Sequence, residues 1–543
     1  MKRFFQIALV AVILATTFAA LPPDNKYFEI AKNIEIFTNL YKEVNALYVD
    51  EVDPGHLMRV GIDAMVGSLD PFTNYISESE IEGYRFQTEG KYNGIGAISK
   101  KIGDYVTITE LYEGQAADKS GIRPGDQIIA VDGKDAKGKT PDEVNEILRG
   151  APDSDLKLTI RRPGEKSDFD VNLVRGEVEV PNVPYYGMLN DDIGYIALTT
   201  FTRDAGRNVA DALRALKKDH PDLKGVVFDL RWNGGGLLNE AVNVSNVFIP
   251  KGELVVTTKG KVQEWDRSFS TLSGAVDEEV PVVVLINKRS ASASEIVSGV
   301  LQDYDRGILL GQRSYGKGLV QNTRDIGYNA KLKLTTAKYY IPSGRCIQSV
   351  EYHDGEPIDI ADDRRTPFKT RNGRLVLDGG GVKPDIEVAE ITDIPIIKSL
   401  LDKDIIFNYV TQFCLKHDSI DAVKDFRFTQ FDEFVNYVEK SDFHFETESE
   451  KMLKSLEAQS TEEGYELKTQ IAAMQKLIEQ DKKQTLQEYK KPIISLIEKE
   501  IASRYYYQTG KIQMGLRNDD EVVKAIEILG DKAAYQAVLK GKG

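Results

Sequence analysis

Three serines and a glycine-flanked lysine are the side chains in this sequence best suited to nucleophilic chemistry. Ser290, Ser292 and Ser294 alternate with alanine in one turn, and Lys317 stands between two glycines further along the chain. A serine hydroxyl is a weak nucleophile that needs a nearby base, and a neutral lysine amine can be that base. Burial favours the neutral amine because it disfavours the charged form. The pattern therefore predicts a hydrolase with a serine nucleophile and a lysine base.

The residues alone do not choose among the three serines. Ser292 and Glu295 also fit a capping box, in which a serine caps a helix and the glutamate bonds its amide. The two roles are compatible, because a nucleophile at a helix start gains from the helix dipole. A histidine base stays open as well: none lies between His220 and His353, but catalytic triads assemble in space.

The apolar pattern around these residues predicts a strand, a helix and a second strand. Val282–Ile286 is a continuous apolar run, typical of a buried strand, and residues 308–310 form a second short one. Between them, apolar residues recur at helical spacing over 296–301, directly after the serines. This order could place a hydroxyl at a helix N-terminus with an amine returning beside it.

A glycine-rich loop follows another predicted strand upstream. From residue 177 the chain alternates strand and helix, and the strand at 225–230 runs into a loop that contains Gly234, Gly235 and Gly236. A strand, a glycine loop and a helix provide backbone N–H donors that could face an anion. A dinucleotide site would need the G-x-G-x-x-G pattern, which is absent. Taken alone, such a loop is more often a tight turn.

Length and composition predict a globular protein of three or four domains. The chain has 543 residues, a length that is too great for a single core. Of these residues, 41% are hydrophobic and 29% are charged, as in globular proteins. The net charge of -15 argues against nucleic acid as the main partner. The five histidines and two cysteines show no metal-ligand spacing, so no metal site is predicted, and Cys346 and Cys414 are interpreted as free thiols.

The first 20 residues have the layout of a secretory signal peptide. Lys2 and Arg3 precede an apolar stretch and then small residues, with cleavage expected after Ala19 or Ala20. The stretch is short for a membrane-spanning helix, which needs about 20 apolar residues. We expect export to the periplasm or cell envelope by a cleavable signal, with an uncleaved membrane anchor as the alternative.

Helical patterns flank the central region on both sides. In the segment 21–88, apolar residues recur at helical spacing over 28–49 and again over 56–68. In the segment 396–543, long helices are expected over 449–505. Either segment could serve docking or self-association, or could be helices packed on the core.

Residues 89–177 carry a glycine-rich strand pattern with one helix. A Gly-Ile-Gly-Ala run precedes an alternating strand at 105–109, and a helix over Pro141–Leu148 is followed by a strand at 156–161. This order resembles a circularly permuted PDZ domain of bacterial proteases. Such a domain binds an extended chain end by strand addition. The resemblance implies that the loop of Gly94, Ile95, Gly96 and Ala97 binds the peptide carboxylate, although these glycines alone would suit a bulge.

The central serines and lysine also occur in a longer pattern. The run Ser-Ala-Ser-Ala-Ser-Glu precedes Leu-Gln-Asp, which ends at Asp303, and then Gly-Lys-Gly around Lys317 with Gln321 beyond it. Over roughly residues 28–390 the chain is similar to the carboxyl-terminal processing peptidases, or tail-specific proteases. In that family the nucleophile is the middle serine, 25 positions before the lysine, which implies Ser292. Gln321 would orient the lysine amine. Asp303 matches an acidic position, and we expect a solvated or capping aspartate there.

The resemblance also implies an oxyanion hole and a fold. Its donors would be the backbone N–H of Ala293 and that of Gly235 or Gly236. One departure is Asn233 followed by three glycines, where many relatives have proline before two glycines. The implied fold is an α/β core of the crotonase/ClpP type over residues 178–395, with the PDZ domain, the N-terminal helical segment and a C-terminal helical extension.

Together these inferences predict an exported serine endopeptidase that needs no cofactor. Its PDZ domain would recognise apolar, unstructured C-terminal tails, and the Ser292–Lys317 dyad would process or degrade envelope proteins. A homo-oligomer or an adaptor protein is a further expected partner. One alternative is an inactive PDZ scaffold or chaperone on a protease-like core. The other is a crotonase-like acyl transferase, which would bind coenzyme A and have no use for a PDZ domain.

Overall fold

The computed structural model describes residues 25–348, 350–353, 356–359, 361–389, 394–441, 443 and 445–541. The chain divides into two compact units, one ending at Leu69 and the other beginning at Asp70. The predicted signal peptide, residues 1–20, lies outside the described residues. Within the described ranges no helix has the length and apolar character needed to cross a membrane.

The smaller unit is a pair of helices, α1 (Asn25–Leu47) and α2 (Pro54–Gly67), which confirms both predicted helices. The Asp53 carboxylate caps α2 by accepting hydrogen bonds from the first N–H groups of that helix. The Tyr41 hydroxyl of α1 donates to the Pro54 carbonyl oxygen at 2.7 Å. This bond fixes the two helices to each other at their connection.

The larger unit contains a small antiparallel sheet of the PDZ type. The sheet runs in the order β3-β4-β5-β7-β8, with β6 beside β5, and its core contains Ile108, Ile128 and Leu158. The predicted helix Pro141–Leu148 is confirmed, and Thr140 caps it. In chain order, the elements from residue 74 to residue 179 are β1 (Asn74–Ile76), α3 (Ile81–Glu89), β2 (Lys91–Gly94), β3 (Ala97–Ile102), β4 (Tyr105–Leu111), α4 (Ala116–Lys119), β5 (Gln127–Val131), β6 (Lys134–Asp135), α5 (Pro141–Leu148), β7 (Asp155–Arg161), β8 (Phe169–Val174) and β9 (Gly176–Glu179). Of these, β1 belongs to another sheet, and β2 and β9 pair with each other.

A six-stranded sheet in the order β10-β11-β12-β15-β16-β23 forms the second core. Its strands β11 to β23 are parallel, and β11, β12, β15 and β16 are buried along their whole length, as continuous apolar runs predict. The elements are β10 (Tyr185–Met188), β11 (Ile193–Ala197), α6 (Ala205–Asp219), β12 (Gly225–Asp229), α7 (Leu238–Phe248), β15 (Val282–Ile286), α8 (Ala293–Asp303), β16 (Ile308–Gly311) and β23 (Ile386–Glu387). Helices α6, α7 and α8 cover one face of this sheet.

A second, antiparallel sheet lies beside α8 and contains the long hairpin of β17 and β18. Strand β18 also pairs with β1 and β13, and β13 pairs with β14. The elements are β13 (Leu254–Gly260), β14 (Arg267–Ser270), β17 (Leu319–Gly327) and β18 (Ala330–Tyr340), with the short pairs β19 (Val350–His353) with β20 (Glu356–Asp359), and β21 (Pro367–Lys369) with β22 (Leu375–Leu377). The two cysteines are free thiols.

Helices make up the C-terminal region, as predicted. They are α9 (Pro395–Asp402), α10 (Ile405–Cys414), α11 (Phe431–Lys440), α12 (Glu448–Glu462), α13 (Lys468–Glu488), α14 (Lys490–Leu516), α15 (Asp520–Gly530) and α16 (Lys532–Leu539). Most of them share an apolar core of their own around Phe434, Ile497 and Ile501. The last two helices instead cover the second face of the six-stranded sheet, so that sheet lies between two helical layers.

Candidate active site

The serine turn joins β15 to α8 and places its three hydroxyl groups differently. Ser290 and Ser294 are fully buried, and their hydroxyls donate to the carbonyl oxygens of Leu230 and Asn233, each at 2.8 Å. Ser292 instead lines a cavity, just before the first residue of α8. Of the three serines that the sequence left open, Ser292 is the one that lines this cavity.

The backbone at Ser292 is strained. Its φ of 56° with ψ of -112° is rare for a residue with a side chain, and such conformations cost about 1–3 kcal/mol. Hydrogen bonds over-determine the turn: the Glu295 carboxylate accepts from Ser292 N–H at 2.7 Å, and Glu295 N–H donates to the Ser292 carbonyl oxygen. The glutamate half of the predicted capping box is therefore present.

Glu295 ties the serine turn to the lysine loop. Its fully buried carboxylate also accepts hydrogen bonds from the N–H groups of Gly316 and Lys317, at 2.6 and 2.8 Å, and from the Ser314 hydroxyl. Burial raises the pKa of Glu295 to about 7, against the effect of these donors. The Tyr339 hydroxyl donates to the carbonyl oxygens of both Ser292 and Lys317. Two side chains thus fix the distance between the two loops.

Lys317 enters the same cavity as Ser292. Its amine lies over the ring of Phe72, 4.4 Å from the ring centroid. The pKa of Lys317 is lowered to about 8, mainly by burial and next by the positive charge of Lys333, while Glu295 and Asp70 act in the opposite direction. A substantial fraction of this amine is therefore neutral near pH 8, as a base requires.

The cavity has a volume of about 600 Å³, within the range of roughly 300–1,000 Å³ usual for ligand sites. Gln321 lines it too, and its amide nitrogen donates to the Thr335 hydroxyl at 3.1 Å. Within the described ranges, neither the Ser292 hydroxyl nor the Gln321 amide is hydrogen-bonded to the Lys317 amine. Catalytic hydrogen bonds often tighten only when substrate is bound. The remaining lining residues include Tyr84, Phe86, Thr199, Leu238, Ile296, Leu319, Lys333 and Gln508.

The glycine loop meets the serine turn at Gly235. A Cβ at this position would lie 2.8 Å from Ser292 Cβ and 2.9 Å from Ala293 N, so only glycine allows this approach. The Gly235 N–H donates to the Asn233 side-chain oxygen at 2.9 Å, which removes it as an oxyanion donor. In contrast, the N–H groups of Gly236 and Ala293 have no hydrogen-bond partner in the part of the chain described here, and both residues line the cavity.

Three family models match the chain. The model described as peptidase family S41 matches residues 192–355, a PDZ domain model matches 107–162, and a model for the probable PDZ-protease C-terminal helical domain matches 396–529. A carboxy-terminal-processing protease of Bartonella bacilliformis is 33% identical over 384 residues, which cover 70% of this chain and 86% of that protein. The chain belongs to the S41 family of carboxy-terminal-processing proteases.

Further proteins are also similar to this chain. A probable CtpA-like serine protease of Staphylococcus aureus is 36% identical over 319 residues, which cover 58% of this chain and 62% of that protein. Among solved structures, the photosystem II D1 C-terminal processing protease is 26% identical with a TM-score of 0.37, covering 64% of this chain and 85% of that one. The predicted family, serine protease activity and α/β core with a PDZ domain and flanking helices are confirmed.

In this S41 protease the predicted peptide-binding loop connects β2 to β3, the first strand of the PDZ sheet, and none of its residues lines the cavity. Gly94 ends β2, and Ala97 begins β3, an edge strand that pairs only with β4 among the described strands. Ile95 packs into the PDZ core, and Gly96 has a φ of 76°. A free edge next to a glycine turn is the geometry that strand addition needs.

Two charge clusters of the S41 core were not predicted. Asp303 is not solvated: its carboxylate pairs with Arg345 at 2.9 Å and both side chains are 1% exposed, so the expectation of a solvated or capping aspartate was wrong. The partner follows 42 positions later, which local spacing cannot reveal. In the second cluster, Arg231 pairs with Asp229 and with two carboxylates of the C-terminal region, Asp519 and Glu521.

Metal ligation has no candidate in the described structure. Within the described ranges, no group of three or more His, Cys, Asp or Glu residues is placed to hold a metal ion.

Proposed function

We propose that Ser292 and Lys317 are the catalytic dyad of this S41 protease. The observation that carries the proposal is their shared cavity: a strained serine with neighbouring backbone donors stands in the same space as a lysine whose pKa is lowered to about 8. Ser290 and Ser294 are less suitable as the nucleophile, because their buried hydroxyls already donate hydrogen bonds to carbonyl oxygens.

In the acylation step, Ser292 Oγ attacks the carbonyl carbon of the scissile peptide bond while its proton passes to Lys317 Nζ. The resulting oxyanion accepts hydrogen bonds from the N–H groups of Ala293 and Gly236. Lys317 then gives the proton to the leaving amine, which departs with the C-terminal fragment. In the second half, neutral Lys317 takes a proton from water while the water oxygen attacks the carbonyl carbon of the acyl-enzyme ester. The bond from that carbon to Ser292 Oγ then breaks, Lys317 returns the proton to Oγ, and the new carboxyl terminus is released.

Gln321 has the role of orienting the lysine amine. Its amide nitrogen is held by Thr335, which points to the amide oxygen as the acceptor for a Lys317 N–H once substrate has entered. A bond of this kind would fix the direction of the amine lone pair. The rate of acylation should therefore fall in Gln321→Leu while the fold is retained.

The PDZ domain supplies substrate recognition in this proposal. The loop from Gly94 to Ala97 would receive the carboxylate of an apolar, unstructured C-terminal tail, and the tail would add as a strand to β3. Export by the segment 1–20, envelope proteins as substrates, and a homo-oligomer or adaptor partner belong to the same hypothesis. The signal-like sequence supports the export, because it has the charge and apolar layout of secretory signals.

The test is turnover of an unfolded reporter protein with an apolar tail, together with labelling by a serine-directed fluorophosphonate. Ser292→Ala should abolish both turnover and labelling, and Lys317→Met should slow both by at least about a hundredfold. Lys331→Met is the matched control, because Lys331 pairs with Asp325 on the same hairpin and does not line the cavity. Unchanged turnover in Ser292→Ala would refute the dyad.

A further inference from the structure

The catalytic cavity contains a second lysine that the proposed reaction does not use. Lys333 lies on β18, and it lines the cavity together with Ser292 and Lys317. It is half-buried, and in the described structure its amine has neither an ion-pair nor a hydrogen-bond partner. Keeping this amine charged costs free energy unless an anion pairs with it, because burial removes a charge from water. This cost suggests that a ligand provides the missing partner.

The sheet around Lys333 leaves it without a counter-ion. Its cross-strand neighbours are the neutral residues Thr323 on β17 and Asn74 on β1. The Thr323 hydroxyl already accepts a hydrogen bond from Tyr84. Two residues away on β18, the equivalent position is paired: Lys331 opposes Asp325 and forms an ion pair with it. Lys333 therefore differs from its neighbour in having no acidic partner across the strand.

The charged side chains that line the cavity are both positive. Its described lining contains two charged side chains, Lys317 and Lys333, and no aspartate or glutamate. This is unusual for a protein whose net charge is -15. Since Lys317 must be neutral to act as a base, Lys333 is the cation that remains to attract an anion.

We propose that Lys333 binds a carboxylate of the substrate and thereby selects which peptide bond is cut. This inference rests on the proposed function, because it assumes that substrate enters this cavity. The carboxylate has two sources: the C-terminus of a short tail beyond the scissile bond, or an acidic side chain in that tail. Both present the same group to the amine, and an ion-paired hydrogen bond in a half-buried site is one of the stronger polar contacts.

The test uses peptide substrates of one tail length in four forms: a free C-terminus or an amide, each with Glu or Gln at one tail position. The measured quantity is the ratio of kcat/KM between the acid and neutral forms. In the wild-type enzyme the acid form should be favoured by about tenfold to a hundredfold. In Lys333→Met the preference for the acid form that comes from Lys333 should disappear from this ratio, and Lys333→Arg should retain most of that preference.

The ratio isolates the carboxylate contact from other effects of the substitution. A change in the basicity of Lys317 affects both substrates alike and cancels, and binding of the C-terminus by the PDZ domain contributes equally with and without Lys333. Lys331→Met is the matched control and should leave the ratio unchanged. Which pair of substrates responds, terminus or Glu/Gln, identifies the source of the carboxylate.

An equal ratio in wild type and Lys333→Met would overturn the inference. The proposed function fails separately, and visibly, if Ser292→Ala still cleaves these peptides. If Ser292→Ala is inactive and the ratio does not depend on Lys333, the dyad stands and the carboxylate site is refuted.

Discussion

Replacing Gly235 by alanine should disable the enzyme without unfolding it. Gly235 has a φ of +95°, and a Cβ built there would lie 2.6 Å from the Ala291 carbonyl oxygen and 2.8 Å from Ser292 Cβ. Both contacts are shorter than real Cβ atoms tolerate, and both partners belong to the serine turn. Because the turn is fixed by Glu295 and Tyr339, the glycine loop must move away from it.

The size of the effect follows from what that movement removes. A left-handed conformation costs an alanine about 1–2 kcal/mol, which lowers stability only modestly. Displacing the loop also moves the Gly236 N–H away from the oxyanion, and loss of one such donor costs about 2.7–4 kcal/mol in the transition state. We therefore expect kcat to fall by about a hundredfold to a thousandfold while KM changes little.

The assay is steady-state turnover of a tailed reporter, with thermal unfolding measured on the same samples. Gly234→Ala is the matched control, because a Cβ at Gly234 meets no atom within 4 Å, and its kcat should stay within a few-fold of wild type. If Gly235→Ala retained more than about a tenth of the wild-type kcat, the glycine loop would not supply the oxyanion donor. Equal losses in both variants would also contradict the reasoning, since only one of them creates a clash.

Three further predictions concern charge. With a Lys317 base of pKa about 8, kcat/KM should rise with pH and level off above that value. Lys333→Met should move the midpoint of this pH profile upward, because it removes a positive charge near the Lys317 amine. A midpoint near pH 6.5 that is the same in wild type and Lys333→Met would indicate a histidine base instead. Glu295→Gln should slow fluorophosphonate labelling at least about tenfold, because the new amide NH2 group would face N–H groups that now donate hydrogen bonds to the Glu295 carboxylate. An unchanged labelling rate would contradict a positioning role for Glu295. Asp303→Ala should destabilise the fold by about 3–5 kcal/mol in thermal unfolding, because it leaves Arg345 buried and unpaired, and combining it with Arg345→Met should restore part of the loss.

The elements that hold the site were predictable because their patterns are local. The run Val282–Ile286 is a strand in the structure with the same bounds, since a strand buried on both faces needs a continuous apolar sequence. The helix after the serines was equally clear from its spacing. The predicted strand, turn and helix together placed the reactive serine to within a few residues in the sequence.

The choice of one serine was not predictable from local pattern. Ser290, Ser292 and Ser294 have the same side chain and each has an alanine beside it, and their reactivity depends on which atoms they meet after folding. The partners that occupy two of them, Leu230 and Asn233, lie about 60 residues away in sequence. Family resemblance supplied Ser292 from the position of the lysine, and the buried hydrogen bonds now give an independent reason for it.

The same limit applies to the oxyanion donors. Gly235 and Gly236 are neighbours of one residue type, and sequence offers no basis for preferring either. The structure separates them through Asn233, whose side-chain oxygen accepts the Gly235 N–H and whose backbone oxygen accepts from Ala291 and Ser294. Asn233 thus joins the glycine loop to the serine turn. This connection is present although the chain has Asn233 and three glycines where many relatives have proline before two glycines.

The C-terminal helices were the part of the chain that the sequence connected least to catalysis. Their composition allowed a surface for partners or a packing domain, and neither hypothesis touched the active site. In the structure, Arg231 at the start of the glycine loop is held by Asp519 and Glu521, at the N-terminus of α15. The next residues of that loop reach Asn233 and the proposed oxyanion donor.

This arrangement makes the C-terminal region part of the support for the site. Without Asp519 and Glu521, the guanidinium of Arg231, which is 14% exposed, would lose two of the three carboxylates that pair with it in the described structure. A largely buried charge with too few partners is strongly destabilising. Without α15 and α16, one face of the six-stranded sheet would lose its apolar cover, including Ile528 and Tyr535. The glycine loop leaves that same sheet at Asp229, so its position depends on helices that lie nearly 300 residues later in the sequence.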